Sequence, residues 1–63
     1  MKFYAYKGKE PLGKEPLGSF NKQIIELKTV NGAKRRCINA WGSDYSLYSF
    51  TNIYDDKTFR QIK

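Results

Sequence analysis

The sequence predicts an α+β domain: a four-stranded antiparallel sheet, in the order β-β-α-β-β, packed against one helix. Three observations lead there. A central stretch, residues 30–41, repeats apolar side chains at helical spacing. Two runs before it and two after it carry the aromatic and β-branched residues that favour a pleated surface. The chain has 63 residues, enough for one domain and for a thin core.

Residues 2–7 form the first expected strand. Phe3 and Ala5 alternate with Lys2, Tyr4 and Tyr6, and Gly8 ends the run. A long Pro/Gly loop follows at about 8–19. It contains Lys-Glu-Pro-Leu-Gly written twice in succession, as residues 9–13 and 14–18. Pro11 and Pro16 each suit position i+1 of a β-turn, with Gly13 and Gly18 at i+3. Two readings fit: a connection lengthened by a small duplication, or a protruding recognition loop.

Residues 20–27 are expected to form the second strand, with Phe20, Ile25 and Leu27 on one face and Ile24 on the other. Thr29 suits the N-cap of the helix, because its hydroxyl can accept a bond from an early helical N–H. Val30, Ala33, Cys37, Ala40 and Trp41 then share one face, Ile38 widens it, and Gly42 takes the C-terminal position. Asn31, Arg35, Arg36 and Asn39 occupy the opposite face, with Lys34 at the margin. Residues 45–52 form the third strand, Tyr48 and Phe50 facing one way and Tyr45 and Leu47 the other. Residues 54–57 turn the chain, since Asp favours turn starts, and residues 58–62 form the last strand. There Phe59 faces away from Arg60 and Ile62.

The run from Tyr48 to Phe59, together with the helix start from Lys28 to Arg36, resembles short uncharacterised phage or prophage open reading frames. The likeness covers roughly the last two thirds of the chain. It carries no functional motif and therefore transfers no site residues. What it implies is a phage-type accessory protein acting on host machinery or on nucleic acid.

Composition narrows the chemistry. Twelve Lys and Arg against six Asp and Glu give a net charge of +6. Such a field attracts nucleic acid, an anionic membrane surface or an acidic protein, and it also keeps a small protein soluble. The absence of histidine removes the commonest general base, and one cysteine builds neither a disulfide nor a zinc site. Asp55 and Asp56 are adjacent turn residues that point apart. Cys37 lies on the apolar helix stripe, where a thiol packs as a small hydrophobe. No enzyme activity, metal or small-molecule cofactor is expected. The absence of an N-terminal apolar run and of any membrane-span pattern fits a cytoplasmic setting.

The function expected from these features is that of a small basic binding module. Lys28, Lys34, Arg35, Arg36, Lys57 and Arg60 are the candidate phosphate-binding residues, since arginine matches phosphate oxygens two at a time. Tyr4 and Tyr6 have three readings: a stacking platform for unpaired bases, a protein interface, or cross-strand ring pairs that stabilise the sheet. The alternative function is a protein-interaction module or an inhibitor of a host protein.

Overall fold

The computed structural model describes residues 1–63. Four strands form one antiparallel sheet: β1 (Lys2–Lys7), β2 (Lys22–Glu26), β3 (Tyr45–Phe50) and β4 (Arg60–Gln61), in the order β2-β1-β3-β4. The helix α1 (Val30–Trp41) packs on one face. β1 lies inside the sheet, with Tyr4 opposite Ile24 on one side and Tyr48 on the other. β2 and β3 both run antiparallel to β1 and hence parallel to each other. A parallel return needs a long connection, which α1 supplies.

The helix starts and stops where its end residues dictate. Thr29 is extended, and its Oγ1 accepts a bond from the Gly32 N–H at 3.1 Å. Gly42, at φ 67, donates its N–H to the Ile38 carbonyl at 2.8 Å. Gly32 costs the first turn about 1 kcal/mol relative to alanine. Its reason is steric: a Cβ there would stand 3.2 Å from Thr29 Oγ1 and 3.4 Å from Leu27 Cδ1.

Between sheet and helix lies the first core. Phe3, Ala5, Ile25 and Leu47 from the sheet meet Ala33 and Cys37 from the helix. Both helix residues are small, so the backbone comes close to the strands. Val30, Trp41, Leu27, Tyr45 and Ile62 pack around the rim and are only partly buried. The apolar stripe is therefore narrower than its spacing suggests. Ala40 is exposed and Ile38 is 52% exposed, because only the centre of the stripe meets the sheet.

The opposite face carries a second, aromatic core. Tyr6 and Tyr48 stack with ring centroids 5.9 Å apart, and Phe50 stacks on Phe59 at 4.9 Å. Tyr4 meets Tyr6 and Phe59 edge-on at 5.9 and 6.0 Å. The chain after β1 folds back over this cluster: the Tyr6 hydroxyl donates to the Glu10 carbonyl, and Ser46 Oγ donates to the Gly8 carbonyl at 2.7 Å. Tyr6 is left with no exposed surface.

Several boundaries differ from those expected. Phe20 is 93% exposed and belongs to a 3-10 turn, Ser19–Asn21, so β2 begins only at Lys22. Asn21 holds that turn through its N–H on the Gly18 carbonyl and its side-chain amide on the Leu17 carbonyl. Such local bonds compete with strand pairing. β3 ends at Phe50 rather than residue 52, because Asn52 accepts the Tyr54 N–H through Oδ1 and turns the chain. Asp55 caps a second 3-10 turn, Asp56–Thr58, by accepting the Lys57 N–H, which shortens β4. In the loop, the Lys14 N–H bonds to the Pro11 carbonyl at 2.9 Å. Pro11 is thus residue i of the turn, and Gly13, at φ 95, fills the i+2 position that requires positive φ.

Candidate phosphate-binding surface

The basic residues of α1 follow from its cap. Once Thr29 fixes the start, Lys34, Arg35 and Arg36 fall on consecutive positions about 100° apart around the axis. Ala33 and Cys37 face the sheet, so Arg35 points almost straight away from it and Arg36 leaves from one flank. Both are exposed. The helix carries no acidic residue, and no Asp or Glu lies three or four positions from either arginine. Nothing on the helix thus competes for their charge.

The other candidates are placed differently. Lys34 is half-buried on the flank towards the end of the chain, and its Nζ donates to the Lys63 carbonyl at 2.9 Å. Lys28 is exposed in the link between β2 and α1. Arg60 Nη1 donates to the carbonyls of Lys57 and Phe59 at 2.6 and 3.0 Å. That arginine is folded at the sheet edge onto the main chain of the residues just before it. The structure therefore ties Lys57 to Arg60 and Lys34 to the end of the chain. Lys28, Arg35 and Arg36 are left as the exposed cations at and on α1.

Tyr4 and Tyr6 form no open platform. Tyr6 is fully buried, and its hydroxyl lies 3.2 Å from that of Tyr48. Burial, reinforced by the Tyr48 hydroxyl, pushes its ionisation far above the ordinary phenol range. Tyr4 is half-buried, and its ionisation is also raised, first by burial and then by the carboxylate of Glu15. Of the three readings of these rings, the geometry is that of ring pairs within the sheet. Cys37 is buried with its thiol pushed above its ordinary value by burial, the setting of a packing residue.

Two features escaped the sequence. Lys9 lies over the Tyr45 ring, 5.3 Å from its centroid, and donates to the Tyr45 carbonyl. Phe59 joins the aromatic cluster from outside any strand. Neither contact is local in the chain, and no spacing rule announces them.

No protein-family model matches this sequence, and no curated protein or solved structure is significantly similar to it. No helix is long and apolar enough to cross a membrane.

Proposed function

We propose that this chain is a small non-enzymatic binding protein that engages nucleic acid through the phosphate backbone, with Arg35 and Arg36 as the principal contacts. One observation carries the reading: two neighbouring guanidinium groups stand exposed on a helix without a single acidic residue. Lys28 adds charge at the start of the same helix. Lys57 and Arg60 add to the general field of a chain with net charge +6. Contacts of this kind position a ligand without reading its sequence. The setting that suits the reading is the cytoplasm, in a phage-type accessory role. The alternative partner is an acidic surface on a host protein, met by the same arginines.

Titration of labelled duplex and single-stranded oligonucleotides across a salt series tests the proposal. Affinity should fall steeply as salt rises, by a similar factor for every sequence. Arg35→Ala/Arg36→Ala should weaken binding and flatten the log–log slope by roughly one unit per lost phosphate contact. Unchanged binding in the double variant, or none by the wild type at low salt, would exclude it. Nuclease-resistant capture of one acidic protein from a lysate would then favour the alternative.

A further inference from the structure

The geometry points to self-association: the free edge of β2 pairs antiparallel with β2 of a second copy across a two-fold axis at Ile24. β2 is the outermost strand of the sheet on its side. Its main-chain direction follows from the end of the ladder. Leu27 donates to the Met1 carbonyl at 3.1 Å and accepts from the Met1 nitrogen at 2.9 Å. Leu27 is therefore a hydrogen-bonded position towards β1. Antiparallel alternation makes Ile25 and Gln23 the next such positions, opposite Phe3 and Ala5. The C=O groups of Lys22, Ile24 and Glu26 and the N–H groups of Ile24 and Glu26 consequently point out of the sheet, towards an edge with no strand on it, while the Lys22 N–H is taken by the Ser19 carbonyl.

The side chains of those three residues select the partner. Alternation puts them on one face, away from α1, since Ile25 faces the first core. A two-fold axis at Ile24 sets Ile24 against its own copy and Lys22 against Glu26 of the other chain, twice over. With the Lys22 N–H of each chain held by its own Ser19 carbonyl, the three pairs would form about four main-chain bonds. Edge strands usually carry charge that rejects a further strand. A like-charged edge would reject its own copy, whereas here opposite charges stand symmetrically about the central apolar residue. The apolar surface left at this edge is large: Ile24 is 64% exposed and Phe20, just before the strand, 93% exposed. The axis runs perpendicular to the sheet, so both helices of the dimer, with their arginines, lie on the same side.

Sedimentation velocity over a wide concentration range tests this, with circular dichroism confirming that each variant is folded. The wild type should pass from monomer to dimer as concentration rises. Lys22→Glu and Glu26→Lys should each raise the dimer Kd by about tenfold or more, since both cross-strand pairs become like-charged. The first lowers the net charge and the second raises it, so general repulsion cannot weaken both. Lys22→Glu/Glu26→Lys restores opposite charges and should restore the dimer. Ile24→Lys should leave a folded monomer. A wild type that stays monomeric throughout overturns the proposal and leaves the edge to an extended segment of another protein. A dimer unaffected by either single charge reversal also overturns it, by placing the contact elsewhere.

Discussion

The two faces of the sheet are buried by different means. Beneath α1, aliphatic and small residues meet a helix whose own stripe faces them. On the other face, five rings pack on one another and the chain after β1 bonds back over them. One face is closed by a regular element with its own periodicity, the other by rings and an irregular connection. β1 explains why both are needed. Phe3 and Ala5 face one way, Tyr4 and Tyr6 the other, and three of the four are fully buried. A strand with apolar bulk on both faces needs cover on both. A chain with only one covered face would bury too little for its length.

The largest blow should fall on the helix side. Phe3→Ala removes a fully buried ring from the centre of the first core. Such truncations cost about 3–5 kcal/mol, most of the stability expected of a chain this short. Thermal melts followed by circular dichroism should show a lost or strongly lowered transition. Trp41→Ala should cost less, because Trp41 is a rim residue of the same core. Equal losses at the two positions would mean that the core extends further along α1 than Ala33 and Cys37.

The aromatic side should respond to smaller changes in a different way. Tyr6→Phe keeps the ring and removes the hydroxyl that serves Glu10 and neighbours Tyr48. Leaving buried polar groups without partners costs about 1–3 kcal/mol, read as a shift in the urea midpoint. The same hydroxyl makes this face sensitive to alkali. The folded-state ionisation of Tyr6 is raised, so its neutral form is the one the fold favours. Its contribution is complete below the ordinary phenol value of about 10 and declines as pH rises above it. Tyr4 adds to the same decline, and buried Cys37 begins to contribute from about pH 9. Urea midpoints measured from neutral to strongly alkaline pH should stay level at first and then fall. Tyr6→Phe should fall less steeply than the wild type. Identical pH profiles would place the alkaline loss elsewhere.

The same contrast accounts for what the sequence disclosed. The first core was readable because it is periodic: Thr29 marks the helix start, Gly42 its end, and Ala33 and Cys37 the face between them. Tyr4 and Tyr6 were recognisable as rings on the second face of β1, with three readings open, but not what covered them. The Glu10 carbonyl reaches Tyr6 through main-chain geometry that no residue type encodes. Phe20 misled because an aromatic ring suits a strand, although at five residues from Ile25 it falls on the other face of the alternation, and Asn21 closes a turn around it. The basic surface was legible as composition and helix phase. That Arg60 folds onto the carbonyls of Lys57 and Phe59 while Arg35 and Arg36 stand free depends on tertiary placement.

The smallest effect should come from the duplication. Deleting either copy of Lys-Glu-Pro-Leu-Gly gives the same sequence, because the copies are adjacent and identical. Every residue from β1 to Gly13 is therefore kept, including Glu10, which supplies the carbonyl for Tyr6. What is lost is the second copy's share: the Glu15 carboxylate near Tyr4, the partly buried Pro16, and Leu17, which is 89% exposed. Shortening a loop by five residues changes its closure entropy by a few tenths of a kcal/mol in the stabilising direction. The two effects oppose each other, and the net change in the urea midpoint should correspond to well under 1 kcal/mol. Replacing Lys9–Gly13 and the second copy together by a Gly/Ser stretch of equal length keeps the closure distance and removes the proline stiffness and the ordered turn at Pro11. That variant should lose more stability than the deletion does, although it removes no residue from the chain length. If instead the deletion is the more damaging of the two, the cover over the aromatic face depends on the second copy rather than on the segment that directly follows β1.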